Sequence, residues 1–400
     1  MNQENNIAIL NFWWAANYGA NLTAYALQQL IENSILVDNS DFQQYLGDSA
    51  QEFHHNFAKN FLQTSFVCRN TTALCNLNKN CNTLVVGSDQ VFRHHLNKRI
   101  ADTFLLDFAE INCKKIAFSA SFGVDKNRFL QDNSKEKIEQ MKIALKSFDF
   151  VSCREKSGVE ICKDILEINA EWITDPVFIL DKLKYEELIQ NSSQDFSNKI
   201  VSCIFEKKNN DLDKFLTKKY NKEVVELWHS NLSVEDWLNA IKNCEFLVTN
   251  SYHAMCFAII FNKPFIALSK DMGASARFES LFEMLNIKDQ SINNINEIYE
   301  KDCIFKVDYE SVNKRIEEER QRGLEFLKKA LEAPVKVTPE KVEARMKFLE
   351  NKVCELEQQA TLKYQIKKEL WNLWLIIFHK YLPEEVKNII RFVRDKYARK

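Results

Sequence analysis

The chain has 400 residues, too many for one ordinary core, so its length predicts two domains of about 150 residues plus further material. A formal net charge of −2 excludes a chain-wide electrostatic affinity for nucleic acid, and any anion must therefore be bound locally. Eleven cysteines, an odd number, sit mostly inside strand and helix patterns, as Cys153, Cys203, Cys244 and Cys256 do, which suits a reduced compartment. Cys68, Cys75 and Cys81 are too irregularly spaced for a zinc site. The start has no basic, uninterrupted apolar leader, and no segment offers some twenty apolar residues in a row, so a cytoplasmic, non-spanning protein is expected.

Taken in chain order, Ile7 to Phe12 reads as a strand. The polar turn from Asn17 to Asn21 leads into a helix ending at Leu30, with Leu22, Ala26, Leu27 and Leu30 at helical spacing. Residues 39–80 are irregular and aromatic, and Phe53, Phe57 and Phe61 mark a packed helix rather than a cofactor box. Three strands follow. TLVV ends in Gly87, Ser88 and Asp89; KKIAFSASFG carries Ser119, Ser121 and Gly123; FDFVSCRE, reached through a helix from Lys135 to Lys146, ends in Arg154. A helix from Ser157 to Ile165 comes next, and Asp175-Pro176 closes this half.

After a polar stretch from Asn191 to Asn198 the alternation restarts with KIVSCIFE, a Lys-rich helix, EVVELW and the helix VEDWLNAIKNC. From Phe246 to Leu268 an apolar strand stops at Asn250-Ser251-Tyr252-His253, continues as a wholly apolar helix and ends in another strand. Two successive α/β units predict two doubly wound domains facing a cleft, over residues 1–180 and 196–333, the second closed by a charged helix from Asp308 to Ala333. Residues 334–400 form a helical extension. Val342, Met346, Leu349, Val353 and Leu356 alternate spacings of four and three, a short heptad seam that fits either a coiled coil or a helix laid on the domain. From Thr361 to Lys400, ten basic residues against four acidic ones leave a net +6, beside the apolar LWNLWLIIF.

Glycine is scarce: seven residues stand where ordinary usage of about 7% gives roughly 28, so each one left answers a backbone need. Gly19, Gly87, Gly123 and Gly273 all fall after strands and near polar residues. Neither a dinucleotide fingerprint nor a phosphate loop is present, which argues against nicotinamide redox chemistry and nucleotide hydrolysis. In open α/β sheets the carboxyl edge binds ligands, and helix starts there attract anions. His253 lies at such a turn; its plain structural reading is a satisfied core-edge histidine behind a Ser251 helix cap. Arg154 suits a carboxylate or phosphate through its planar fork, or forms a surface pair with Glu155 or Glu160. Arg277 meets an anion, or pairs with Glu279 or Glu283. Ser88, Asp89, Gln90, Ser119 and Ser121 read equally as turn and cap residues.

Seven segments, NYGANLTAYALQQL, VVGSDQVF, FSASFG, VSCREKSG, TDPVFIL, NSYHAMCFAIIFNKPFIAL and SARFESLFEML, occur in the order and spacing of the polysaccharide pyruvyl transferase family, which the chain resembles over roughly residues 7–290. The resemblance implies two Rossmann-like halves in a GT-B-like arrangement. It implies transfer of a pyruvyl group from phosphoenolpyruvate onto two hydroxyls of a sugar, giving a cyclic ketal on a surface glycan or its lipid-linked precursor. It also implies that Arg154 is the arginine of the family's serine-x-arginine-glutamate segment and His253 the histidine of its serine-aromatic-histidine segment. Phosphoenolpyruvate is a compact anion that needs fixed positive charge and N–H donors, and histidine suits the proton transfers.

The expected catalytic group is therefore His253 with Asp89 and Asp175. The expected substrate-binding set is Arg154, Arg277, Asn17, Gly19, Ser88, Gln90, Ser121, Ser251 and Tyr252, with phosphoenolpyruvate as donor and neither cofactor nor metal. Ala254, Phe92 and Asn21-Leu22-Thr23 depart from the family pattern and bear on the acceptor. A nucleotide-sugar glycosyltransferase and a non-catalytic scaffold of a glycan-assembly complex are the alternative functions. Expected partners are a saccharide acceptor, the cytoplasmic membrane face through the basic tail, and a second copy through the heptad segment, with no nucleic acid.

Overall fold

Strands form where apolar runs end at polar turns, and burial on both faces explains why those runs lack alternation. The computed structural model describes residues 6–14, 17–42, 52–97, 100–190, 192, 194–204, 210–228, 230–268, 275–287, 291–292, 296–300, 307–358 and 384. Gly273 and, apart from Glu384, the tail over 361–400 lie outside these residues.

The first sheet contains β1 (Ile7–Leu10), β2 (Ser34–Asp38), β3 (Thr64–Val67), β4 (Thr83–Val86), β5 (Lys114–Ala120), β6 (Phe150–Cys153) and β7 (Glu171–Trp172). Its order is β3-β2-β1-β4-β5-β6-β7, and every pairing is parallel. In register, Ile9 faces Leu36 on one side and Val85 on the other. Every residue of β4 and β5 is buried. The second sheet contains β8 (Ile200–Cys203), β9 (Val224–Glu226), β10 (Phe246–Thr249), β11 (Phe265–Leu268) and β12 (Ser291–Ile292), again all parallel, in the order β12-β11-β10-β8-β9. Ile200, Leu216, Phe246, Val248 and Ile266 share its core.

Both sheets are Rossmann-like, and each reverses its strand order once, between β1 and β4 and between β8 and β10. Such reversals open the crevice where ligands bind in α/β folds. Two parallel α/β sheets followed by a helical C-terminal region, as the sequence predicts, are what is found. Its helices start on identifiable caps: Asn17 accepts from the Ala20 N–H, Asp175 from the Val177 N–H ahead of Pro176, and Ser251 from the Ala254 N–H. The helix Tyr252–Ile260 is buried at all nine positions, as its unbroken apolar sequence requires.

Differences are local. β1 stops at Leu10, short of Phe12, because the Asn11 side chain turns back to accept from the Phe12 N–H at 2.8 Å. The aromatic segment holds the expected helix, Glu52–Phe61, but is also bracketed by β2 and β3. The charged helix Tyr309–Glu332 packs across the first sheet: Phe326 stacks on Phe118 with ring centroids 5.9 Å apart, and the Arg320 Nε–H donates to the Ile179 carbonyl. Two compact units divide the chain at Arg345. The second, Met346–Lys400, is described over 346–358, which are helical. No helix among the described residues is long and apolar enough to cross a membrane.

Candidate active site

Strands β4, β5, β6 and β7 end side by side, and the polar residues just beyond them converge. Arg154 follows β6 and its side chain has no exposed surface. One terminal N–H donates to Asp175 Oδ2 at 2.7 Å and the other to Asp89 Oδ1 at 2.9 Å. Its Nε has no hydrogen-bond partner and lies 3.9 Å from Glu155 Oε2. Burial alone would lower the Arg154 pKa, but the Asp89 and Asp175 carboxylates more than offset it and raise the value. Of the sequence expectations, the pairing with Glu155 is found, but buried rather than on the surface, whereas Glu160 pairs with Lys126 and the fork is not open. Arg154 is an internal counter-ion whose terminal nitrogens are already engaged.

The carboxylates are held from several sides. Asp175 Oδ2 also accepts from the Ser88 hydroxyl at 3.0 Å, while Oδ1 caps the short helix behind it. Burial pushes the Asp175 carboxyl up, yet His253 and Arg154 hold it well below the usual carboxylate range. Asp89 sits in the left-handed region with φ 72°, and its Oδ1 accepts from the Gln90 N–H as well as from Arg154. Against burial, Arg154, then His253 and Arg277, keep its carboxyl below the usual range. Glu155 is buried behind them, accepting the Phe122 and Gly123 N–H groups on Oε1, and burial raises its pKa.

The second half contributes the turn after β10. His253 is buried; its Nε2 lies 3.1 Å from Thr23 Oγ1 and 3.7 Å from Asp175 Oδ2, both on the first half. Its other edge rests on Gly19, where a Cβ would lie only 2.1 Å from Nδ1, so glycine is required for the approach of the two halves. Tyr18, beside it, stacks on Trp237 at 5.2 Å and donates from its hydroxyl to the Leu232 carbonyl. The Tyr252 ring lies beneath two guanidinium groups, Arg154 at 4.7 Å and Arg277 at 5.4 Å from its centroid.

Arg277, on the helix Ser275–Leu285, differs from Arg154 in having no carboxylate partner among the described residues. Its Nε is buried without a hydrogen bond, and burial together with the Arg154 charge lowers its pKa to about 10. The suggested pairs with Glu279 and Glu283 do not form; Glu283 meets Lys156 Nζ at 2.8 Å. Ser121 is also buried, beside Glu155.

The remaining expected residues act locally. Gln90 accepts from Arg93 and lies against Gly123, whose φ of 69° favours glycine. Asn17 and Ser251 cap their helices, and Ser119 donates to the Ile173 and Thr174 carbonyls. Thr23 and Glu155 join the cluster although the sequence flagged them only as a departure from a pattern and a surface partner. Their signal was weak, since neither residue type marks a site. No group of three or more His, Cys, Asp or Glu among the described residues is arranged to hold a metal.

Two parallel α/β sheets thus meet over a buried cluster of His253, Arg154 and Arg277 with the carboxylates of Asp89, Asp175 and Glu155. The model of the family "Polysaccharide pyruvyl transferase" matches residues 17–271, more than half of the chain, and the chain belongs to that family. A comparison with curated proteins gives no match. Among solved structures, the chain is similar to UDP-GlcNAc 2-epimerase from Neisseria meningitidis at 12% identity, covering 87% of this chain and 99% of that one, with a TM-score of 0.41. It is similar to the wall teichoic acid polymerase TagF at 12% identity over 88% and 90% of the two chains, TM-score 0.38. A UDP-glucosyltransferase from Polygonum tinctorium aligns at 11% identity over 82% and 98%, TM-score 0.48.

Proposed function

We propose that this transferase moves a pyruvyl group from phosphoenolpyruvate onto two hydroxyls of one sugar in a surface glycan or its lipid-linked precursor. The observation that carries the reading is Arg277, a guanidinium held over Tyr252 without a carboxylate partner among the described residues, beside a buried acid–base cluster. A desolvated arginine left unpaired is an anion site in waiting, because binding carboxylate or phosphate restores the two parallel hydrogen bonds that it lacks. The buried Ser121 hydroxyl, beside Glu155, adds a donor.

The reaction adds a proton to the methylene carbon of the donor, forms a carbon–oxygen bond from the first sugar hydroxyl to the neighbouring carbon, and breaks that carbon's bond to phosphate oxygen. The second hydroxyl then closes the ketal. Of the two hydroxyl protons, one balances the proton given to carbon and the other leaves with phosphate. His253 is the proton carrier. Asp175, fixed by Arg154, Ser88 and its helix cap, faces Nε2 and stabilises the imidazolium, and Thr23 sets the ring orientation. Because Gly19 and Thr23 cover His253, substrates reach it when the halves part, and their closure excludes water. The basic tail serves to keep the enzyme beside a lipid-linked acceptor.

The test incubates the protein with phosphoenolpyruvate and a panel of lipid-linked saccharides, following phosphate release and acceptor mass. Phosphate release with an acceptor gaining one pyruvate ketal supports the reading. Turnover of nucleotide-sugars instead, with no response to phosphoenolpyruvate, makes the protein a glycosyltransferase.

A further inference from the structure

Outside the candidate site, an apolar stripe among the described residues has no role so far. In the second unit, Met346, Leu349, Val353 and Leu356 stand 57%, 48%, 54% and 56% exposed at spacings of three and four along one helix face. Covering these half-exposed apolar side chains with a partner would remove further apolar surface from water. Their spacing assigns Met346 and Val353 to a positions and Leu349 and Leu356 to d positions of two heptads. A β-branched a and leucine at d are the choices that favour a two-stranded parallel coiled coil.

The flanking charges settle the occupant. Glu350 and Glu357 fall at e, and Lys352 falls at g. In a parallel, in-register pair, the g position of one helix meets the next e position of its partner, so Lys352 faces Glu357 of a second copy, twice by symmetry. An antiparallel pair sets e against e and g against g, glutamate against glutamate and lysine against lysine, and is disfavoured. We infer that residues 346–358 form a parallel coiled coil with a second copy of this chain, making the protein a homodimer. The inference rests on the stripe and its charges, not on the reaction proposed above.

Sedimentation equilibrium on the full chain tests it, with a dimer expected at twice the 47.0 kDa chain mass. Val353→Asp, at an exposed position, leaves the fold's melting temperature unchanged and gives a monomer. Lys352→Glu weakens the dimer, and adding Glu357→Lys restores it. Leu349→Cys, which meets itself only in a parallel register, forms an interchain disulfide under mild oxidation. A parent chain that stays monomeric at about 50 μM, a concentration at which even weak specific dimers are populated, overturns the inference. So does a dimer that Val353→Asp leaves intact, or an absence of the Leu349→Cys crosslink in a protein that still dimerises.

Discussion

Replacing Arg154 by methionine keeps most of the side chain's volume and removes the charge that two buried carboxylates share. Asp175 and Asp89, at 2.7 and 2.9 Å, lose their counter-ion where the Asp175 side chain has no exposed surface and that of Asp89 only 12%. Breaking such a pair from one side costs about 3–5 kcal/mol. With an unfolding entropy of roughly 2.1 cal/mol/K per residue, that cost lowers the melting temperature of the 345-residue unit by about 4–7 °C. Arg154→Lys, which retains the charge but not the fork, loses about half as much.

The same substitution carries a pH signature. In the parent, both carboxyls lie below the usual range, so their stabilisation is complete above about pH 4 and lost only as pH falls through the lowered folded values. Without Arg154, its largest opposing charge, burial lifts the Asp89 carboxyl above its unfolded value, while His253 still holds Asp175 low. The folded state then holds protons more tightly than the unfolded one, and the variant gains stability as pH falls from 7 to 5. Thermal melts of both proteins at the two pH values are the assay. The gap in melting temperature narrows at pH 5. A gap under about 2 °C at pH 7, or one equal at both values, would refute the counter-ion role.

Arg277→Gln weakens phosphoenolpyruvate binding in calorimetry by about tenfold or more, yet leaves the melting temperature unchanged or higher. Its pKa is already depressed to about 10, so the charged form is disfavoured by folding at pH 7 and losing it relieves the fold; a destabilised variant with parental affinity would make the residue structural. Gly19→Ala puts a Cβ 2.1 Å from His253 Nδ1, and phosphate release falls about a hundredfold with donor affinity near the parent's. His253→Ala abolishes turnover with a melting temperature within a few degrees of the parent, and a large drop would instead mark the imidazole as a packing residue. Deleting residues after Ala360 lowers co-sedimentation with anionic liposomes, and salt weakens binding of the intact protein by screening the tail's ten basic groups; equal sedimentation at low salt would sink the membrane role.

The strands that position the site were legible because both their faces are buried, so each appeared as an apolar run closed by a polar turn. β3 was not, since three of its four residues are exposed and its sequence has no apolar face to betray it. The strand-end rule likewise gave Asp89, Arg154, Asp175 and His253 as neighbours of a cleft. It left open what those side chains do to one another, because spacing along the chain carries no strand order. Asp89 is 65 residues before Arg154 and Asp175 is 21 after it, and only the lateral order of β4, β5, β6 and β7 makes them partners. An arginine able to bind a ligand and one committed to a buried pair have the same sequence signature, a cation after a strand. What separates Arg277 from Arg154 is the number of carboxylates within reach, and that number is set by topology. The glycine at 19 is the converse case: its scarcity signalled a close approach, and the imidazole that comes close lies 234 residues away, on the other half of the fold.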